Sequence, residues 1–156
     1  MVTIEKLTSS TAEDVLNVTL AEQQTKFAGS AKEFLADDSE SIHLHVIKSE
    51  HEVIGFFKID VMYSIGDEFD VQNGLGLRAF VIDQNQQGKG LGTASVKALF
   101  PYLKQNYSSY RAIYLTVNCQ NPGARACYEK GGFVDTGEKY LGGAAGPQYI
   151  MQGNIA

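Results

Sequence analysis

Apolar and polar positions change period several times along the chain, and each change marks an element. Residues 1–7 alternate, with Val2 and Ile4 on one side, and predict a first strand. Thr11 and Asp14 stand close to capping-box spacing, and Ala12, Val15, Leu16 and Thr19 then recur at helical intervals, so a first helix follows. Residues 23–29 break that pattern. Ser30 and Glu33 form a second capping box, opening a short helix to about Ala36. Ile42, Leu44 and Val46 alternate with His43, His45 and Lys48, predicting a strand with one wet face and two surface histidines. The turn at 49–52 leads to a second arm over 53–63, making a hairpin. Residues 64–74, rich in Gly, Asp and Asn, are a polar break, and residues 75–82 read as the central strand.

Leu91, Ala94, Ser95, Ala98, Leu99, Tyr102 and Leu103 share one helical face, with Pro101 inside the pattern. Because proline lacks an N–H and crowds the preceding turn, a kink is expected there, with the helix ending near Lys104. Residues 113–117 are a short β-rich run. Asn121 before Pro122 is a helix start, and Gly131-Gly132 is its stop. Two last strands, 133–140 and 148–151, flank a glycine-rich connection. The order is β-α-α-β-β-β-α-β-α-β-β, without internal repeat, and predicts one domain over residues 1–156.

Between the central strand and the long helix lie Gln87, Gly88, Lys89, Gly90, Leu91, Gly92 and Thr93. Glycines at a strand-to-helix handover let backbone N–H groups approach a ligand, and the helix dipole favours an anion there. A Walker loop is excluded, since position 83 is Asp and Gly90 follows Lys89. A dinucleotide fingerprint fails at Thr93 and at the basic-apolar run Arg111-Ala112-Ile113, where an acid belongs. What remains is Gln87-x-x-Gly90-x-Gly92.

Composition narrows the classes further. The chain has 156 residues, with 44% hydrophobic and 20% charged, as expected of a soluble globular domain. Its net charge of −5 argues against a nucleic-acid partner and for small cationic ones. No apolar run approaches a membrane span, and Cys119 and Cys127 are expected to be reduced thiols, so the cytoplasm is the expected location.

The glycine loop resembles the acetyl-coenzyme A loop of the GNAT superfamily of N-acetyltransferases. Asn121, Ala124, Tyr128 and Gly132-Phe133 resemble its second coenzyme motif, and the element order matches its fold. The resemblance implies an α/β (α+β) fold with a mixed, mostly antiparallel sheet flanked by helices. It further implies acetyl-CoA as co-substrate without a metal, held by residues 87–93, by Phe80, Val81 and Ile82 on a strand that splays from its neighbour, and by Asn121 and Ala124. Tyr128 is the implied general acid. The style of the loop and of the C-terminal strands looks most like small bacterial enzymes that acetylate polyamines such as spermidine and spermine.

Some polyamine acetyltransferases carry Glu where this chain has Arg78, and a cation facing the pocket would repel a cationic acceptor unless it pointed away or formed an ion pair. Glu22, Asp37, Glu68 and Asp70 are the remaining carboxylates considered as base. Direct transfer in a ternary complex to a small primary amine is the leading expectation, with a homodimer as one option for assembly. The alternatives are a peptide or aminoglycoside acceptor, or an acyl-CoA sensor without catalysis.

Overall fold

The computed structural model describes residues 1–21, 29–67, 69–71 and 73–156. Seven strands form one sheet in the order β1-β2-β3-β4-β5-β7-β6. They are β1 (Val2–Lys6), β2 (Ile42–Ser49), β3 (Glu52–Asp60), β4 (Gly74–Ile82), β5 (Ala112–Asn118), β6 (Val134–Tyr140) and β7 (Gln148–Asn154). All neighbours run antiparallel except β4 and β5. The helices are α1 (Ser9–Val15), α2 (Ala31–Ala36), α3 (Leu91–Asn106) and α4 (Pro122–Gly131). Among the described residues this is the order expected from the apolar pattern.

Alternate residues of the strands feed two cores that lie against helices and a smaller third one around Ile65, Ala112, Tyr114 and Ile150. Val46, Phe56 and Val81 pack with Val15 and Val18 after α1 and with Ala31 and Phe34 of α2. Ile47, Phe57, Leu75 and Leu77 pack with Val96, Leu99 and Leu103 of α3, against which Ala124, Cys127 and Tyr128 of α4 also lie. Since side chains alternate across a strand, α1 and α2 cover one face of the sheet while α3 and α4 cover the other.

Local signals placed most helix ends. The Ser30 hydroxyl accepts from Glu33 N–H at the start of α2, and Asn121 Oδ1 accepts from Ala124 N–H at the start of α4. The first cap differs from expectation: Thr8 caps α1, with Thr11 as its capping-box partner rather than the cap itself. The difference is one turn, because Thr8 and Thr11 can satisfy each other's backbone N–H. Pro101 does not end α3, which runs on to Asn106; Pro101 and Lys97, whose carbonyl loses its partner, are both exposed, so water can satisfy it.

The two histidines also differ from expectation. His45 is fully buried and stacks on Phe57 at 5.0 Å between ring centroids. Its Nε2 lies 2.8 Å from the Tyr102 hydroxyl, and its Nδ1 lies 3.0 Å from the His43 carbonyl oxygen. His43 Nδ1 is 2.7 Å from the Tyr107 hydroxyl. The face of β2 read as wet is roofed by α3, whose tyrosines supply the polar partners that buried imidazoles require.

Candidate active site

The site begins where the sheet opens. β4 and β5 pair only from Gly74–Ala112 to Gly76–Tyr114, and beyond Gly76 the ladder between them stops. On its other edge β4 carries a bulge: Phe56 pairs with Val81 but Lys58 with Arg78, leaving Ala79 and Phe80 opposite the single residue Phe57. Ala79 takes φ 53°, a left-handed conformation uncommon outside glycine. An extra residue bends its strand and re-aims the side chains that follow it. The bend and the parting occur together, and a cleft of about 690 Å³ fills the gap.

At one end of the cleft lies the glycine loop. Gln84–Gln86 form a single 3₁₀ turn after Asp83, and Gly90 follows as the N-cap of α3 with φ 76°. Gly88 has φ 81°, and a Cβ at either glycine would meet nothing within 4 Å, so glycine is present for its backbone conformation and open surface. Among the described residues, the backbone N–H groups of 88–93 have no protein acceptor; the first helical bond is Ala94 N–H to the Gly90 carbonyl at 3.0 Å. Six consecutive donors at the positive end of a 16-residue helix make an anion cradle. Gln87 lies outside that run: its N–H donates to Gln84 at 3.4 Å, and its side chain donates to the Ile82 carbonyl at 3.1 Å, stitching the loop to β4. Lys89 donates to the Gln86 side chain at 3.3 Å.

Of the residues singled out from sequence, Phe80, Ile82, Gln87, Gly88, Gly90, Gly92, Thr93, Asn121, Ala124 and Tyr128 line the cleft together. Val81, Lys89 and Leu91 are outside the lining; Val81 is buried in the core beneath α1 and α2. Tyr128 packs edge-on to Phe80 at 5.9 Å and to Phe133 at 5.8 Å. Its hydroxyl has no hydrogen-bond partner among the described residues, and burial pushes the phenol well above its ordinary pKa. That shift keeps the phenol protonated at neutral pH, with its proton available to a stronger base formed beside it.

Other lining residues were missed. Cys127 lies beside Thr93, its Sγ 3.9 Å from the Thr93 hydroxyl, and burial pushes its thiol up. Ala124, Cys127 and Tyr128 are spaced i, i+3, i+4, a signal that already put Cys127 on this face. Thr116, Asn118, Ala145 and Gln148 come from β5 and the approach to β7. The Asn118 amide donates to the Ala145 carbonyl at 3.0 Å, fixing the glycine-rich connection at the cleft rim.

Tyr63 lies against Gly76, where any Cβ would strike its ring, and it hydrogen-bonds to Thr116 beneath the fork of the two strands. Arg78, two residues on from Gly76, therefore lies on the α1/α2 face, opposite Tyr128. It lines the cleft and also pairs with Asp60 at 3.2 Å, so both behaviours considered from sequence occur in part.

Of the four carboxylates considered as base, Asp37 and Asp70 do not line the described cleft. Asp37 is held by Lys58 at 2.9 Å, and that partner keeps its carboxyl below the usual range. Glu22 and Glu68 lie outside the described residues. No cluster of three His, Cys, Asp or Glu suited to a metal, and no helix long and apolar enough to cross a membrane, occurs among the described residues.

The profile of the Acetyltransferase (GNAT) family matches residues 7–133. The chain belongs to the GNAT acetyltransferase family. The spermine/spermidine N(1)-acetyltransferase of Bacillus subtilis (strain 168) is 31% identical over 142 residues, covering 88% of this chain and 90% of that protein. The acetyltransferase described here is thus acetyl-CoA-dependent and acts on an amine. Among solved structures, aminoglycoside acetyltransferase AAC(6')-Ib in complex with coenzyme A superposes with a TM-score of 0.79 at 23% identity, covering 99% of this chain and 95% of that one. Spermidine N-acetyltransferase from Vibrio cholerae, in complex with CoA and spermine, gives 0.69 at 18% identity, with 99% and 95% covered. At those identities the likeness concerns the fold.

Proposed function

We propose that this acetyltransferase moves the acetyl group of acetyl-CoA directly to a primary amine of a polyamine such as spermidine or spermine, in a ternary complex. The observation that carries the reading is the forked cleft, with six N–H groups unpaired among the described residues at one end and Tyr128 in its lining. The likeness to a spermine/spermidine acetyltransferase over most of the chain supports the acceptor. We read residues 1–156 as one domain, since a single sheet runs from β1 to β7. The two free cysteines and the soluble co-substrate support a cytoplasmic location.

The pyrophosphate of the coenzyme fits the donors of residues 88–93, with Gln87 and Lys89 shaping the loop. The thioester arm fits between Phe80 and Ile82 on one side and Asn121, Ala124 and Tyr128 on the other, along the edge of β4 that has parted from β5. Val81 contributes through its backbone alone, and Leu91 and Thr93 through their N–H groups. The amine nitrogen attacks the thioester carbon, the C–S bond breaks, and Tyr128 protonates the departing thiolate. Because burial raises the phenol further above a thiol pKa near 8.5, its proton moves in concert with C–S cleavage, and the solvent that takes the amine proton returns one to Tyr128.

The amine has an ordinary pKa of about 10 and must lose a proton to attack, a step we assign to water rather than to Asp37 or Asp70, neither of which lines the cleft. An assay of free thiol released from acetyl-CoA tests this across polyamines, aminoglycosides, amino acids and peptides. Turnover is expected with spermidine and spermine, and kcat/KM should climb from pH 7 to about 9.5 without a falling alkaline limb. Turnover confined to aminoglycosides or peptides would replace the acceptor; a chain that binds the coenzyme and turns over with no amine would be a sensor.

A further inference from the structure

Three side chains from neighbouring segments meet on the α1/α2 face, beside the parting of β4 and β5. The Asp60 carboxylate, 10% exposed, accepts from the Met62 N–H through Oδ1 at 2.9 Å and from Arg78 through Oδ2 at 3.2 Å. The Arg78 guanidinium carbon also lies 5.7 Å from the centroid of the Tyr63 ring. A buried carboxylate and an aromatic face thus converge on one cation, which is the chemistry that recognises an ammonium group. Here the cation belongs to the chain itself.

Its hold is loose. Arg78 makes one long contact to Asp60 rather than the two-pronged pairing its fork permits, and its side chain is 54% exposed. Ion pairs with an exposed member contribute little net stability, so an incoming ammonium meets weak competition. Among the described residues the neighbouring cation in register is Lys58, paired with Arg78 across the β3–β4 ladder, and it is engaged by Asp37 at 2.9 Å. Asp60 itself cannot be left bare, because an uncompensated buried charge is strongly unfavourable.

We propose that Asp60 and Tyr63 form a cation subsite of the acceptor channel, kept filled by Arg78 until the distal ammonium of a di- or polyamine displaces it. The proposal rests on the polyamine reading and deepens it. It accounts for a guanidinium lining the cleft of an enzyme that takes polycations: Arg78 stands in for the substrate's second charge, then moves into water. A monoamine carries no second ammonium and leaves Arg78 in place.

The test compares kcat/KM for spermidine with that for hexylamine, in the full chain and in two variants. Arg78→Gln keeps an amide donor for Asp60 but removes the rival cation, and should raise the spermidine-to-hexylamine ratio about fivefold through a lower KM for spermidine. Asp60→Asn removes the carboxylate and should lower the ratio about tenfold. Asp60→Asn leaves no uncompensated charge and decides the matter alone if Arg78→Gln, which leaves Asp60 without a cation, does not fold. A ratio that falls in Arg78→Gln makes Arg78 a direct contact of the acceptor and overturns the proposal, as does a ratio that moves in neither variant while the wild type acetylates spermidine. If the wild type acetylates amines but no polyamine, the broader reading fails and the subsite with it.

Discussion

The two ends of the cleft are built differently. The end proposed for the coenzyme is made of backbone: six N–H groups from residues 88–93, shaped by Gly88 and Gly90 and followed at once by α3. The end proposed for the acceptor is made of side chains: Tyr63, Arg78, Thr116 and Gln148, from four separated segments. Backbone donors depend on the turn that the local sequence adopts. Side chains at a strand fork depend on register, bulge and neighbour, which no local stretch specifies. One end is therefore a property of the loop and the other a property of the fold.

Tyr128 stands where the two ends meet, and its replacement tests the division most severely. Tyr128→Phe keeps the packing on Phe80 and Phe133 but removes the proton. General acids contribute roughly 10²–10⁴-fold, so kcat should fall at least about a hundredfold. The coenzyme Kd, read by calorimetry, should change less than about threefold. A loss carried by Kd instead of kcat would make Tyr128 part of the coenzyme end and leave the proton to another donor.

The two faces of the sheet give a second contrast, in acid. On the α1/α2 face, charge is neutralised in pairs such as Asp37 with Lys58. On the α3/α4 face, His45 is kept neutral by burial, which lowers its pKa to about 4 from 6.5 against the opposing hydrogen bond to the His43 carbonyl. The unfolded chain takes up that proton near pH 6.5 while the folded chain resists it until about 4. The contribution is thus fully present above 6.5 and is lost as pH falls from 6.5 towards 4. The loss is about 2–3 kcal/mol by pH 4.5. Urea unfolding of the wild type and of His45→Phe at pH 7.5 and 4.5 reads it: the wild type should lose about 2 kcal/mol more than the variant. Equal losses would mean that His45 is not the titrating group.

How far the sequence spoke follows the same division. Ser30 with Glu33 and Asn121 with Pro122 are local pairs, and both cap where their spacing predicts. The loop glycines were legible because a left-handed N-cap and open surface are demands on single residues. His45 was misread because strict alternation along β2 implies a wet face, whereas Tyr102 and Tyr107, more than fifty residues away, roof it. Asp60 escaped notice because its meaning comes from Arg78 across the ladder, and the bulge at Ala79 that sets the geometry left no mark in an unremarkable alanine. Cys127 was legible from its spacing to Ala124 and Tyr128, a signal present but unused.

The smallest effect tests the claim that the coenzyme end is backbone. In Gly90→Val the new Cβ meets nothing within 4 Å, so a clash at that atom is not the cause of any change. The cause is φ 76°, which disfavours a β-branched residue by about 1–2 kcal/mol. The loop can relieve that strain by leaving the left-handed region, which turns the N–H groups at the head of α3 away from the cradle. Coenzyme binding must then restore them. Its Kd should rise by roughly fivefold to thirtyfold, the same 1–2 kcal/mol expressed as affinity. The KM for amine should move much less, because the acceptor end draws nothing from residues 88–93. A lowered unfolding midpoint with unchanged coenzyme Kd would show that the rest of the fold holds the loop in shape, making this end as dependent on tertiary structure as the other.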